Sequence, residues 1–260
     1  MTGLQSTPPQ FRLSRLSREL YEDFLAQAKQ SHSFVQMRDF LADGPPASSP
    51  YVALRHDIDF APEYSHELAK LEHDAGVRAS YFVLVDGQFY SPVETSVIRQ
   101  VREIAELGHE IGLHFDARLA VGPDIGEDVA MRIEVLSSLA GVPVVSYCQH
   151  DPVNSGVTRV TLPEGHHRCI DVADVVAEHD LLYVSDSAMM WRQHTFHTAL
   201  AEGRNLCLLA HAHSWLHPQD DYIAMIRDLQ AEQVNALEGR FDGFVDALEG
   251  YYTRRVRDGV

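Results

Sequence analysis

The stretch Arg55-His56-Asp57-Ile58-Asp59 follows the short apolar run Tyr51-Val52-Ala53-Leu54, and Pro62 comes soon after it. The apolar run is typical of a buried strand, and proline is common in the first turn of a helix. Asp57 and Asp59 are two residues apart, so their side chains point the same way in an extended chain. Two carboxylates at one point repel each other unless a cation or a shared proton intervenes. The stretch therefore predicts a chemical site, or else a polar turn whose aspartate caps the next helix.

Strand-like and helix-like segments alternate after this stretch. The apolar runs lie at 79–85, 110–113, 142–147, 181–184 and 206–210, with helical patterns between them. Such alternation predicts a mainly parallel sheet with right-handed crossovers. We expect an α/β fold with a barrel-like βα arrangement, and a doubly wound open sheet is the alternative. No G-x-G-x-x-G motif follows the first strand, which argues against dinucleotide binding.

Composition limits the partners of the chain. Its 260 residues carry a formal net charge of −17, which argues against a nucleic acid or an anionic membrane as a partner. The three cysteines are widely spaced and odd in number, which favours reduced thiols in a cytosol. The first twenty residues contain no apolar signal segment, and no apolar run approaches the length of a membrane span. We therefore expect a cytoplasmic protein; the sequence does not indicate its oligomeric state.

We expect a single catalytic domain over residues 1–260. Residues 1–12 contain serine, threonine and paired prolines, which predicts a disordered tail. Residues 13–49 form a predicted N-terminal extension, helical where Leu16, Leu20 and Phe24 recur at helical spacing. Residues 219–260 are predicted to form a C-terminal helix and tail.

Five predicted strands end in side chains that bind metals or transfer protons. These groups are Asp57 and Asp59; His114 and Asp116; Cys148 and His150; Asp186; and His211 with His213. The carboxyl ends of parallel strands share one edge, where active sites of βα folds gather. Two histidines and a carboxylate suit Zn²⁺ or Fe²⁺, and such an ion acidifies a bound water. With a carboxylate as base and a histidine as acid, the group can hydrolyse an amide or an ester.

Four segments of the sequence resemble one protein family. They are Arg-His-Asp-Ile-Asp at 55–59, Ala-Ser-Tyr-Phe-Val at 79–83, Gly-His-Glu-Ile-Gly-Leu-His-Phe-Asp at 108–116 and Leu-Leu-Ala-His at 208–211. They resemble the polysaccharide deacetylase superfamily (NodB homology, carbohydrate esterase family 4), in particular its branch from glycan and natural-product gene clusters. The resemblance implies a distorted (β/α)7 barrel and metal-dependent removal of acetyl from an N-acetylated sugar or a small biosynthetic intermediate.

The resemblance also implies roles for individual residues. Asp57 corresponds to the catalytic base, Asp59 to the metal carboxylate and His114 to the first metal histidine. His211 corresponds to the acid that protonates the leaving amine, and Asp186 to the residue that orients such a partner. The implied cofactor is a divalent metal, foremost Zn²⁺, with Fe²⁺, Co²⁺ and Ni²⁺ as alternatives.

The sequence departs from the family pattern at two positions. Ile58 separates two aspartates that are usually adjacent, so the roles of Asp57 and Asp59 can be exchanged. Arg118 stands where the second metal histidine is usual, and an arginine is not a ligand. We predict His150 as the third ligand, and Asp116 and His213 are the alternatives.

Other side chains near the strand ends can form a sugar-sized pocket. The predicted substrate contacts are Tyr147, Trp191, Arg192, His213 and Trp215. Aromatic residues at such positions are also common in a core.

Two other functions stay open at this point. His114-Phe115-Asp116 with a distant histidine imitates the triad of a mononuclear iron oxygenase. Arg118 in place of a ligand fits a metal-free, non-catalytic protein that binds the same class of molecule.

Overall fold

The computed structural model describes residues 11–12, 16–41, 50–122, 124–166 and 168–258. The predicted tail at 1–12 therefore lies outside the described residues except for 11–12. Most of the loop expected before Tyr51, at 42–49, lies outside them as well.

The main sheet is parallel throughout and is centred on strand β3, Tyr51–Ile58. Its other strands are β2 (Ser33–Val35), β4 (Ser80–Leu84), β5 (Glu110–Phe115), β6 (Ser146–Gln149), β7 (Ile170–Asp171), β8 (Leu182–Ser185) and β10 (Leu206–Leu209). The strand order is β7-β6-β5-β4-β3-β10-β8, and β2 pairs with the start of β3. Seven strands curl into a half-barrel surrounded by helices, which confirms the predicted distorted (β/α)7 barrel. A separate antiparallel pair joins β1 (Phe11–Arg12) to β9 (Met190–Trp191).

Eight helices accompany the sheet in the described part of the first 217 residues. They are α1 (Arg18–Ser31), α2 (Pro62–Asp74), α3 (Thr95–Glu106), α4 (Ile125–Ala140), α5 (Pro152–Ser155), α6 (Val172–Glu178), α7 (Phe196–Leu200) and α8 (Ala212–Leu216). Short 3-10 turns lie at Met37–Leu41, Ala117–Leu119 and Ser187–Met189. Local signals explain several boundaries: the Ser17 hydroxyl accepts from the Leu20 amide to cap α1, and Gly141 ends α4 at a φ of 74°.

The chain divides into two compact units, Met1–His217 and Pro218–Val260. The second unit contains the long helix α9 (Tyr222–Asp258), which begins three residues later than predicted and continues through most of the predicted tail. A single catalytic domain over 1–260 stays a prediction. No described helix is both long and apolar enough to span a bilayer.

Close packing inside the barrel explains a glycine on the strand that carries His114. Gly112 lies in β5, and a Cβ there would overlap the ring of Phe82 and approach the Ser146 hydroxyl to 2.9 Å. Only glycine lets the neighbouring strands β4 and β6 place these side chains where they are. The packing therefore fixes β5 just before the position at which His114 enters the site.

Candidate active site

Strand β3 directs Arg55 and Asp57 to one side of the sheet through its two-residue repeat, and Asp59 follows directly after the strand. Arg55 and Asp57 are both buried, and the guanidinium Nη2 lies 2.8 Å from Oδ1 and 2.5 Å from Oδ2 of Asp57. Burial by itself raises the pKa of Asp57, but the Arg55 cation, together with His114 and His211, outweighs burial and lowers it. Asp57 is therefore held as a carboxylate at neutral pH.

The intervening residue His56 points to the opposite side of β3. Its Nε2 lies 2.8 Å from Oε1 of the fully buried Glu72 in α2, and its Nδ1 bonds the Ala210 carbonyl. The hydroxyls of Tyr21 and Tyr81 donate to the same carboxylate at 2.5 and 2.7 Å. His56 thus fixes α2 and the end of β10 behind the site and does not enter it.

Asp59, His114 and His150 bring three potential metal ligands together. Oδ1 of Asp59 lies 3.2 Å from Nε2 of His114 and 3.1 Å from Nδ1 of His150, and these two nitrogens are 3.2 Å apart. Oδ1 of Asp59 is buried and makes no hydrogen bond of acceptable geometry with any described residue. Ligands at about 2.0–2.1 Å from a tetrahedral zinc are separated by about 3.3 Å. The three atoms therefore already have the spacing of one face of such a site.

The tautomer of His114 supports this arrangement. Its Nδ1 lies 3.0 Å from the carbonyl oxygen of Cys148, which can only accept, so we assign the ring proton to Nδ1. Nε2 then carries a lone pair directed at the Asp59 carboxylate. A lone pair and a carboxylate repel each other unless a cation lies between them or the ring gains a second proton. A metal ion satisfies both atoms without adding a proton.

Strand pairing explains why His150 reaches the site. His114 pairs with Cys148 in the register of β5 and β6, and the His150 amide donates to the Phe115 carbonyl at 2.7 Å. Burial opposes the charge of Asp59, but its contacts with His114 and His150 lower its pKa well below the usual range. Asp59 in turn raises the pKa of His150 despite the partial burial of that ring.

His211 and Asp186 form a second polar group at the ends of β10 and β8. Nδ1 of His211 lies 2.6 Å from Oδ1 of Asp186, and Nε2 lies 3.6 Å from Oδ2 of Asp59. Asp186 is fully buried and also accepts from the His211 amide at 2.9 Å and from Nε1 of Trp215 at 2.7 Å. Burial disfavours the imidazolium, but Asp186, together with Asp59 and Asp57, outweighs burial and raises the pKa of His211 to about 9. The pair places a protonated imidazole opposite the two histidines.

The two alternative third ligands have other contacts. Both oxygens of Asp116 bind Arg118, at 2.9 Å from Nε and 2.7 Å from Nη2. The buried ring of His213 packs on Phe60, with 4.2 Å between ring centroids. Burial and the adjacent His211 lower the pKa of His213 to about 3, so its ring is neutral. The geometry therefore favours His150 over either alternative.

Asp57, His114 and Cys148 form a second, deeper group with metal-ligand spacing. The Cys148 sulfur lies 3.1 Å from Nδ1 of His114 and 3.2 Å from Nη2 of Arg55. Burial raises the pKa of the Cys148 thiol well above its usual value, so the thiolate that a metal needs is disfavoured. The shallower group around Asp59 is the better candidate.

The residues predicted to contact substrate lie in different surroundings. Trp191 and Trp215 are buried in an aromatic cluster with Phe196, and Trp215 stacks on that ring at 5.5 Å. Tyr147 is buried with its hydroxyl near the Val160 carbonyl, whereas Arg192 is exposed. The structure gives Trp215 a supporting role through Asp186, and substrate contacts by these residues stay predictions.

Arg55 is a site residue to which the sequence analysis gave no role. It lies two residues before Asp57, so the same alternation that groups Asp57 with Asp59 also places Arg55 beside them. The two-residue spacing within residues 55–59 was therefore enough to predict Arg55 as a neighbour of the two aspartates.

Among known proteins, only solved structures are similar to this chain. No protein-family model and no curated protein matches the sequence. One matching solved structure is a carbohydrate esterase family 4 pseudoenzyme from Bacillus anthracis, at 12% identity and a TM-score of 0.42, covering 73% of this chain and 63% of that chain. This chain thus spans less than two thirds of the length of that protein.

Two further matches are enzymes by name. One is a family 4 acetyl xylan esterase from Clostridium thermocellum in complex with a cobalt ion, at 16% identity and a TM-score of 0.38, covering 73% of this chain and 84% of that chain. The other is the chitin deacetylase from the fungal pathogen Colletotrichum lindemuthianum, at 16% identity and a TM-score of 0.38, covering 72% and 84%. At such low similarity these matches carry no argument about activity, which has to rest on the site.

Proposed function

We propose that this chain is a metal-dependent hydrolase that removes an acetyl group from an N-acetylated sugar or a similar small molecule. The observation that carries the proposal is the triangle of Asp59, His114 and His150, with the Asp57–Arg55 and His211–Asp186 pairs beside it. The substrate class comes from the motif resemblance.

The proposed ligands are Oδ1 of Asp59, Nε2 of His114 and Nδ1 of His150. Their donor set of two imidazoles and one carboxylate suits Zn²⁺, and Fe²⁺, Co²⁺ and Ni²⁺ accept the same donors. When bound, such an ion acidifies a water and polarises the acyl oxygen. The buried Oδ1 of Asp59 has no hydrogen-bond partner among the described residues, and Nε2 of His114 contacts Nδ1 of His150, itself a proposed ligand, at 3.2 Å.

The remaining residues would supply the proton transfers. Asp57 would take a proton from the attacking water, whose oxygen adds to the acetyl carbon. His211 would give its Nε2 proton to the amine nitrogen as the C–N bond breaks, so that acetate and an amine leave. Asp186 holds Nδ1 of His211 at 2.6 Å, which keeps Nε2 directed at the site. Water is the only co-reactant that this hydrolysis consumes.

The test is acetate release from acetylated amino sugars and nucleotide sugars by protein loaded with Zn²⁺, followed by mass spectrometry. We expect turnover that falls on chelation and returns with metal. Asp57→Asn should lower kcat by about 10²–10⁴-fold, the usual contribution of a general base. His166→Ala, which removes an imidazole whose Nε2 lies 3.3 Å from the Glu134 carboxylate, outside the triangle, is the matched control. Full turnover by chelated protein would overturn the metal requirement.

One observation favours a second function, that of a non-catalytic binding protein. Both oxygens of Asp57 bind Arg55, which makes this carboxylate a weak proton acceptor. If the metal-loaded protein binds acetylated sugars but releases no acetate from any of them, binding is the function. The same assay with calorimetric measurement of ligand affinity separates the two.

A further inference from the structure

Helix α9 carries an apolar stripe with a strict heptad spacing. The stripe is formed by Val234, Leu237, Phe241, Phe244, Leu248 and Tyr251, which are separated alternately by three and four residues. This is the a/d pattern of a coiled coil over nearly three heptads. We call these six residues the α9 seam. At 1.5 Å per residue the seam is about 26 Å long.

The α9 seam is exposed along its whole length. Phe241 and Phe244 at its centre are 62% and 61% exposed, and each of the other four is more than one third exposed. Val245 and Tyr252 flank the seam at the following e positions and are also exposed. A continuous apolar stripe in water is typical of an interaction surface.

The composition of α9 shows that this helix needs a partner. Gly239, Gly243 and Gly250 lie within it, and each costs about 1 kcal/mol relative to alanine in a helix interior. All three occupy positions away from the seam, and added Cβ atoms at Gly239 and Gly243 would contact nothing within 4 Å. Since helices in water gain most of their stability from packing one apolar face, the seam is the face that has to be covered.

We propose that the α9 seam pairs with the same seam of a second copy of this chain in an antiparallel coiled coil. In this register Val234 lies opposite Tyr251, Leu237 opposite Leu248, and Phe241 opposite Phe244 of the other copy. The six layers are related by a two-fold axis between Asp242 and Gly243. Such an interface is self-complementary, as a two-fold homodimer requires.

Charge favours the antiparallel orientation over the parallel one. Six of the seven acidic residues of α9 lie before position 250, at Asp228, Glu232, Glu238, Asp242, Asp246 and Glu249, and the seventh is Asp258. Arg227 and Arg240 lie in the same acidic part, whereas Arg254, Arg255 and Arg257 lie near the end of the helix. The antiparallel register places these arginines alongside residues 228–233 of the second copy, where Asp228 and Glu232 lie. A parallel pair would instead align acidic residues with acidic residues and arginines with arginines.

Sedimentation equilibrium on the full chain tests the pairing. We expect twice the mass of one chain for the wild type, and the mass of one chain for Phe241→Glu and for Phe244→Glu. Ala236→Glu introduces the same charge on the outer face of the helix and should remain dimeric. A monomeric wild type, or a Phe241→Glu variant that stays dimeric, overturns the proposal.

Disulfide trapping tests the orientation. Chains with Val234→Cys and chains with Tyr251→Cys, mixed and mildly oxidised, should form a linked pair of unlike chains. Val234→Cys alone should not link to itself, because its copies would lie about 26 Å apart along the antiparallel pair. The wild type controls for the native cysteines, of which Cys148 and Cys207 are buried. Self-linking of Val234→Cys would overturn the antiparallel arrangement.

Discussion

Replacing His150 by alanine tests the most specific part of the proposed site. His150 supplies one corner of the ligand triangle, with its Nδ1 3.1 Å from Oδ1 of Asp59 and 3.2 Å from Nε2 of His114. Without it, the ion would keep two of its three protein ligands. Asp116 cannot easily replace it, because both of its oxygens bind Arg118.

The expected loss can be bounded. Losing a residue that only supports a metal ligand typically costs about 10- to 100-fold in metal affinity. Loss of the ligand itself should exceed this, so we expect His150→Ala to raise the Kd for Zn²⁺ by more than about 100-fold. At about 1.4 kcal/mol per factor of ten, this corresponds to more than about 2.7–2.8 kcal/mol of binding free energy.

Competition with a chromophoric chelator measures these affinities directly. His213→Ala is the matched comparison, because it removes a histidine ring that lies in helix α8, shortly after β10, and packs on Phe60. We expect wild-type affinity from this variant. Unchanged affinity in His150→Ala together with a large loss in His213→Ala would refute our choice of the third ligand. Absence of Zn²⁺ binding by the wild type would instead refute the metal site as a whole.

Three further variants test the surroundings of the site. Arg118→Gln should weaken Zn²⁺ binding by about 10- to 100-fold with little change in Tm, because Arg118 links Asp116, two residues after His114, to Asp151, the residue after His150. Asp186→Asn should lower kcat more than it changes KM and shift the alkaline limb of the activity profile to lower pH, because His211 loses the carboxylate that favours its charged, proton-donating form. Burial raises the pKa of Glu110, so its contribution to stability is complete below the ordinary glutamate pKa and is lost as the pH rises through the raised one. Glu110→Gln should therefore lose less stability than the wild type between acidic and neutral pH, as measured by urea unfolding.

The parallel barrel followed from the sequence because the signals were local and repeated. Each apolar run had the length of a strand, and glycines ended several of the helices between them. Strand order needed no further information once the segments were known to alternate, since consecutive strands in such folds usually lie side by side. The short antiparallel pair of Phe11–Arg12 with Met190–Trp191 has no comparable sequence signal, because a strand of two residues shows no periodicity.

Side-chain partners within the site were less predictable. The grouping of Asp59 with His114 required only that strand ends meet, whereas choosing between His150 and His213 required the register of β5 with β6. Trp215 is a clearer example of a side chain whose partner could not be predicted from the sequence. A tryptophan near a strand end fits a sugar pocket as well as a core, and its bond to the buried Asp186 depends on a contact between distant parts of the chain.

The charges of the site give an independent reason for a cation. Asp57 is paired with the Arg55 guanidinium, and Asp186 with the imidazole of His211, whose pKa is raised to about 9. Asp59 is the remaining carboxylate of this group, and among the described residues its ion-pair contacts are with His114, His150 and His211. An unpaired charge at such depth is costly, and either protonation of a histidine or a bound cation removes the cost. Since the Cys148 carbonyl already holds the Nδ1 proton of His114, a second proton on that ring would make an imidazolium beside an already protonated His211. A proton on His150, whose pKa Asp59 raises, would also offset the charge of Asp59. A divalent ion at Asp59 uses the lone pairs of both histidines without adding a second buried imidazolium, so the arrangement suits a metal.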